Sequence, residues 1–353
     1  MTTFLPFKNL KVLELASVLA GPLVGSFFSE LGANVTKIEN KRTHGEMTRK
    51  WRHAEEKYLN DESDYYTAAN FNKNVLYLDL GDAKDYHLMT SLVKENHVVI
   101  ANFLPSIAQK LECTFHDLVK YNSHLIYVNL VAYSETDDRP GFDLLMQAEC
   151  GYISITGQRD ALAKMPTAMI DILAAHQMKE AILVALYQQA KGMLSSCELS
   201  VSLHHSGLTG LVNQGSSYLN SGISAQPMGT LHPSIAPYGE IFHSQDDIPF
   251  VIAIGTDGQF TKFCDGFNLV FDSKFDNNQN RVVHRQELFI LLQEKLSCYD
   301  YNYIRILLNN VGIPITKIND IAEALDSEES QQMIKTTNSG KKRISDIAFK
   351  RLH

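Results

Sequence analysis

The sequence predicts an α/β protein: a doubly wound parallel sheet with a second, smaller α/β domain. Strand-like apolar runs alternate with helical stretches from Leu10 to Leu203, and repeated strand–helix–strand units make parallel sheets. Texture changes at about Asn220, where Ser, Gly and Pro become frequent as far as Pro237, which marks a linker or mobile loop. With 353 residues, 44% of them hydrophobic, the chain can bury a sizeable core and reads as two domains. The expected division is a large domain over 1–219, a small one over 220–335, and a tail over 336–353 that is basic and thin in apolar residues.

The elements follow in order. Leu10–Leu15 is a strand, Pro22 suits the first turn of a helix that runs to Leu31, and Gly32 stops it. Asn34–Ile38 is the second strand. The turn Ser17–Gly21 lies at the carboxyl end of the first strand, the edge where open α/β sheets bind ligands. It lacks the GxGxxG pattern, so no NAD or FAD is inferred. Residues 41–52 carry five Lys or Arg in twelve positions, either a solvated loop or a phosphate-holding patch. A polar loop leads to Asp64. Val75–Leu80, His97–Ala101 and His124–Leu130 are further strands, separated by helices at Asp82–Lys94, Pro105–Leu111 and Phe115–Tyr121. Helices are expected at Leu144–Ile153 and His204–Tyr218, with a strand at Cys197–Leu203 between them. The small domain holds a hairpin (Tyr238–Phe242, Pro249–Ile254), a strand at Pro314–Ile318, and helices at Gln259–Phe267, Gln286–Ser297, Tyr301–Asn310 and Asp320–Asp326.

Charge and motif content narrow the function. The net charge is −8 with no long basic block, which argues against a nucleic-acid partner and leaves room for a local basic pocket. No apolar run spans a bilayer and the N-terminus has no signal-peptide pattern, so no membrane partner and a cytoplasmic location are expected. The five cysteines are widely spaced without a CxxC and read as reduced thiols, and the thirteen histidines include no HExxH. No metal is expected.

One stretch stands out. From Met165 to Leu186 a long apolar helix begins near Asp171, the only acidic residue between Asp160 and Glu180. Asp171 reads in two ways. As an N-cap it accepts hydrogen bonds from the first turn. As a nucleophile it is a poorly hydrated carboxylate in a partly dry pocket.

The motifs resemble one family. Leu10-Lys-Val-Leu-Glu-Leu-Ala-Ser-Val-Leu-Ala-Gly-Pro22, Leu31–Glu39, Gly45-Glu-Met-Thr-Arg49, Asn70-Phe-Asn-Lys73 and Asn102-Phe103 are similar to the opening of the class III CoA-transferases, the CaiB/BaiF group. Arg139–Ala148, Ile153–Gly157, His232–Gly239 and Gly312-Ile-Pro314 continue the series in family order. The resemblance implies a Rossmann-like large domain and an interlocked homodimer, with linkers around Asn220 and Ser330 as the threads. It implies CoA and acyl-CoA as substrates, with no tightly bound cofactor, and a carboxylic acid as acceptor. It also implies that the 336–353 tail returns toward the large domain, and that it is shorter than usual for the family.

By the same resemblance Asp171 is the catalytic carboxylate, which forms an anhydride and then an aspartyl-CoA thioester. Ser17, Val18, Leu19 and Ala20 lie beside the thiol arm. Asn40 stands where a relative has an arginine near the nucleotide, with Lys41 or Arg42 as substitutes. Asn102 and Phe103 lie along CoA, Lys110 contacts its phosphates, and Arg139 and Asp143 fall close to the catalytic carboxylate. Water exclusion calls for a movable loop, with Ser221–Pro237 as the candidate. The sequence departs from the family at Ala175 and Ser106, where glycine is usual, and in the short loop 134–138. Two other readings remain. An acyl-CoA racemase of the same superfamily needs a histidine where Phe142 stands, and an inactive CoA-binding paralogue would bind without turnover.

Overall fold

The computed structural model describes residues 4–56, 61–270 and 272–352. The middle of the polar loop expected before Asp64 therefore lies outside the described residues. The chain forms two compact units: Met1–Ile153, Lys164–Ala225 and Glu329–His353 in one, Ser154–Ala163 and Gln226–Glu328 in the other.

The larger unit is built on β1 (Lys11–Glu14), β2 (Asn34–Asn40), β3 (Asn74–Leu78), β4 (Val98–Ala101), β5 (Ile126–Val131) and the Cys197–Ser202 strand. Among the described residues these form one six-stranded sheet, in the order β3-β2-β1-β4-β5-(Cys197–Ser202), with every pairing parallel. Parallel strands are covered on both faces. Val12, Val98, Ile100, Ile126 and Val128 pack with Phe28 of α1 (Ala20–Glu30) and with Ala174, Met178 and Ile182 of the Met169–Ala190 helix. The alternate residues Leu13, Val99 and Tyr127 pack on the opposite face with Met89 and Val93 of the Ala83–Glu95 helix.

A charge cluster lies inside this apolar sandwich. Glu14 and Lys37 are both fully buried and sit directly opposite each other in the β1–β2 register, with 2.7 Å between Lys37 Nζ and Glu14 Oε1. Lys37 also meets Glu46 at 2.9 Å, and Lys73 meets Glu14 at 2.8 Å. Burial pulls Lys37 down, but Glu14 and Glu46 outweigh it and leave its pKa above the usual lysine range. For Lys73, burial outweighs the attraction of Glu14 and, with Lys37 nearby, lowers the pKa to about 8. Lys73 Nζ also donates to the carbonyls of Pro22 and Ala69, each at 2.8 Å. The Asn70-Phe-Asn-Lys73 motif is thus a fastening for the sheet.

Several boundaries differ from expectation. The helix carrying Asp171 begins two residues earlier, at Met169. The helix expected at His204–Tyr218 is two, Leu203–Thr209 and Val212–Ser221. They part at Gly210, where an added Cβ would lie 2.2 Å from the Tyr152 hydroxyl. The C-terminal tail contains a small antiparallel pair, Ile334–Thr336 with Lys342–Ile344. Its anchor is electrostatic: buried Arg343 meets Glu30 at 3.0 Å and Asp346 at 2.6 Å, which apolar periodicity does not reveal.

The smaller unit has an antiparallel sheet in the order Ile315–Lys317, Pro249–Ala253, Tyr238–His243. Its core is aromatic, with Phe242, Phe250, Phe263 and Phe267 packed among Leu292, Ile304 and Leu308. The Ser221–Pro237 stretch was expected to be loose. Within this unit its second half is held: Arg285 Nη2 donates to the carbonyls of His232 at 2.6 Å and Ile235 at 2.5 Å, and fully buried Arg281 donates to Ala236 O at 2.9 Å.

The charge cluster sets one prediction. A Cβ on Gly25 would lie 1.8 Å from Glu14 Oε2, and Glu14 cannot yield because two lysines hold it. Gly25→Ala is expected to lower stability by about 1–3 kcal/mol, read as a lower urea midpoint. An unchanged midpoint would refute the crowding.

Candidate active site

The sheet order reverses between β1 and β4, and the crevice beyond their carboxyl ends is the place for a ligand. Ser17 and Asn102 close on each other there. Ser17 N donates to Asn102 Oδ1 at 3.0 Å, and Asn102 Nδ2 donates to Ser17 O at 2.9 Å. The next residue, Val18, has φ +74°. A β-branched residue in this left-handed region costs on the order of 1–3 kcal/mol and persists only where its surroundings enforce it. Here the amide clamp precedes it and α1 follows. Leu19 is the residue before that helix and Ala20 is its buried first residue.

A cavity of about 740 Å³ opens beside this turn. Its lining includes Ser17, Asn40, Arg42, Phe103 and Lys110 of the expected binding residues, together with Lys50. Val18, Leu19, Ala20, Lys41, Asn102, Arg139, Asp143 and Asp171 are not among its lining residues. Asn40 caps a short turn, its Oδ1 accepting Arg42 N at 2.9 Å. Arg42 Nε donates to Asp79 at 2.5 Å, and the other Asp79 oxygen accepts Gly81 N at 3.0 Å. Lys41 faces Asp85 instead, at 3.6 Å.

The wall formed by Gly45-Glu-Met-Thr-Arg49 rests on buried charge. Arg49 is one of the five basic residues in 41–52 that could form a phosphate patch. It is instead buried against Glu39, with two donors each at 2.7 Å, and donates to the Tyr66 hydroxyl at 2.6 Å. Gly45 has φ +104°, and a Cβ there would lie 2.7 Å from Glu39.

Asp171 is the third residue of the Met169–Ala190 helix and is 9% exposed. It is not the N-cap. Asp143 takes that role from another helix, Asp143–Glu149, its Oδ1 accepting Ile170 N at 2.8 Å and Asp171 N at 3.4 Å. Sequence spacing alone does not reveal a cap supplied 27 residues upstream of Ile170. Among the described residues the Asp171 carboxylate takes no hydrogen bond. Burial, and then the charge of Asp143, push its pKa up to about 7. Tyr65 lies close enough to feel both. Burial, then Asp171, Asp143 and Glu46, push its phenol up to about 12. Its ring meets Trp51 edge-on at 5.1 Å, and Trp51 lines the cavity. Tyr65 and Trp51 carried no sequence signal beyond their types. Arg139 is exposed, pairs with Asp137 at 2.6 Å and stacks over Tyr133 at 3.7 Å. Among the described residues no group of three or more His, Cys, Asp or Glu is placed to hold a metal, and no helix is long and apolar enough to cross a membrane.

The raised pKa of Asp171 makes stability depend on pH. Folding favours the neutral form, so the penalty is absent below about pH 4, grows as pH rises, and is complete above about pH 7. Asp171→Asn is expected to stabilise the protein by roughly 2–4 kcal/mol at pH 8, with the gain vanishing near pH 4. Paired melting curves across that range test it, and a gain independent of pH would contradict the assignment.

The comparisons agree with one another. The sequence model of CoA-transferase family III matches residues 7–350. An acyl-CoA transferase of Fusarium pseudograminearum is 32% identical over 89% of this chain and 70% of its own length. A succinate–glutarate CoA-transferase of Agrobacterium fabrum is 29% identical over 92% of this chain and 83% of its own. The crystal structure of a CaiB/BaiF family protein from Brucella suis superposes with a TM-score of 0.85 at 30% identity, over 98% of this chain and 92% of that one. The chain therefore belongs to CoA-transferase family III.

Proposed function

We propose that this protein moves CoA from an acyl-CoA to a carboxylic acid, with Asp171 as the nucleophile. The observation that carries the reading is a buried carboxylate that takes no hydrogen bond among the described residues, its pKa raised to about 7 by burial and by Asp143. Near neutral pH a large share of it is ionised, and the anion has little solvation to lose on attack.

The electron bookkeeping is simple. An Asp171 oxygen attacks the thioester carbonyl, the C–S bond breaks, and CoA leaves as thiolate with a mixed anhydride on Asp171. The thiolate attacks the aspartyl carbonyl and releases the donor acid, leaving an aspartyl-CoA thioester. The acceptor carboxylate attacks that thioester, and the regenerated thiolate takes the acceptor acyl group and frees Asp171. Each step exchanges one acyl bond for another, and no proton need move.

The cavity suits the nucleotide end of CoA. Arg42, Lys50 and Lys110 are cations on its wall and would meet phosphates. Phe103, on the same wall, would flank the pantetheine arm. Ser17 to Ala20 form the turn past which the arm reaches Asp171, along the side bounded by Trp51 and Tyr65. We take small dicarboxylic acids as the first acceptors to try, because the Agrobacterium relative is named for succinate and glutarate.

An interlocked homodimer belongs to the same reading. The Val212–Ser221 helix buries none of its residues, and Val212, Tyr218 and Leu219 are exposed on it. Val184 and Tyr187 are exposed on the Asp171 helix. An apolar surface of this kind marks an interface.

Two measurements test these proposals. Incubation with succinyl-CoA, glutaryl-CoA and other acyl-CoAs, followed by hydroxylamine, should leave a hydroxamate on Asp171 by mass spectrometry and none in Asp171→Ala. CoA binding without any adduct would point to the inactive paralogue, and deuterium exchange at the acyl α-carbon would point to the racemase. Sedimentation should give the mass of two chains, with no exchange between tagged and untagged dimers. A stable monomer would remove the dimer from the account.

A further inference from the structure

Asp143 does two jobs at the helix that carries Asp171: it caps the first turn and places a negative charge near the reacting carboxylate. Something must hold Asp143 in place. Its own helix supplies the holder one turn on. Gln147 is fully buried, and its Nε2 donates to Asp143 Oδ2 at 2.6 Å. Its Oε1 accepts Met165 N at 2.8 Å, and Nε2 also lies 3.4 Å from the carbonyls of Met165 and Thr167. The amide therefore joins three things: the capping carboxylate, the segment 165–167 leading into the helix, and the helix Asp143–Glu149. A carboxylate at this position would be costly, because no cation is paired with Asp143 among the described residues to offset a second negative charge. A neutral side chain with a donor on one side and an acceptor on the other fits both neighbours.

We infer that Gln147 is a positioning residue for CoA transfer: its amide clamps Asp143 to the entry of the helix and so sets the place of Asp171 and of the carboxylate beside it. This rests on Asp171 being the reacting carboxylate. Among the described residues the ionisable groups that face Asp171 are Asp143, from the helix Asp143–Glu149, and Tyr65, from the helix Asp64–Ala69, with Glu46 acting on Tyr65. The clamp acts through the first of these.

Two substitutions separate the clamp from mere packing. Gln147→Glu keeps the shape but turns a carboxyl toward Asp143, so three carboxyl groups share one region. The Asp171 titration should move up by at least about one pH unit. The shift is read from the carboxyl resonance of protein labelled with [13C]aspartate, assigned by its loss in Asp171→Asn. Gln147→Met keeps the volume and loses both hydrogen bonds. Its rate of adduct formation with acyl-CoA should fall by about 10²-fold, with KM changed by less than about threefold. An unmoved Asp171 titration in folded Gln147→Glu would overturn the inference. So would a loss in Gln147→Met that merely follows its folded fraction, and this second variant decides the matter if the first does not fold. The titration needs no substrate. If it moves while wild-type protein forms no adduct, the clamp stands and the transfer reading fails.

Discussion

The buried pair of Glu14 and Lys37 constrains much of the larger unit. Two charges facing each other across central parallel strands are costly to bury alone, and removing one partner typically costs about 3–5 kcal/mol. The protein surrounds them with matched groups. Glu46 takes the second side of Lys37, and Lys73 takes the second side of Glu14. Each of these brings a segment with it. Glu46 draws in the wall of the cavity, and Lys73 draws in the turn before β3 and the carbonyls of Pro22 and Ala69. Gly25 is required where α1 crosses Glu14. Motifs that look like binding signatures in the sequence are here the supports of a cluster beneath the site.

That distinction explains what the sequence could and could not show. The parallel sheet was legible because strands such as Val98–Ala101, covered on both faces, are continuously apolar. Resemblance singles out Ser17, Asn40, Arg42, Phe103 and Lys110 among its candidates, and these five line one cavity. What periodicity could not show are pairings between distant residues. Arg49 looked like a free cation in a basic stretch, yet Glu39 claims it. Asn102 reads as a ligand contact by resemblance, and no periodicity signals that both ends of its amide also hold Ser17. The tail is basic and thin in apolar residues because its anchor, Arg343 between Glu30 and Asp346, is made of charges.

The two carboxylates at the start of the Met169–Ala190 helix are the clearest case of chemistry set by competition. A helix N-terminus favours an anion and offers free N–H groups. Had Asp171 taken them, it would be a well-solvated cap with a low pKa and little reason to attack anything. Asp143 takes them instead, reaching in from a neighbouring helix. Asp171 is left in the same buried region with no donor to it among the described residues and with a like charge beside it. Among the described residues, three hydrogen bonds go to Asp143 and none to Asp171. The reactivity proposed for Asp171 comes from the hydrogen bonds that Asp143 has already claimed.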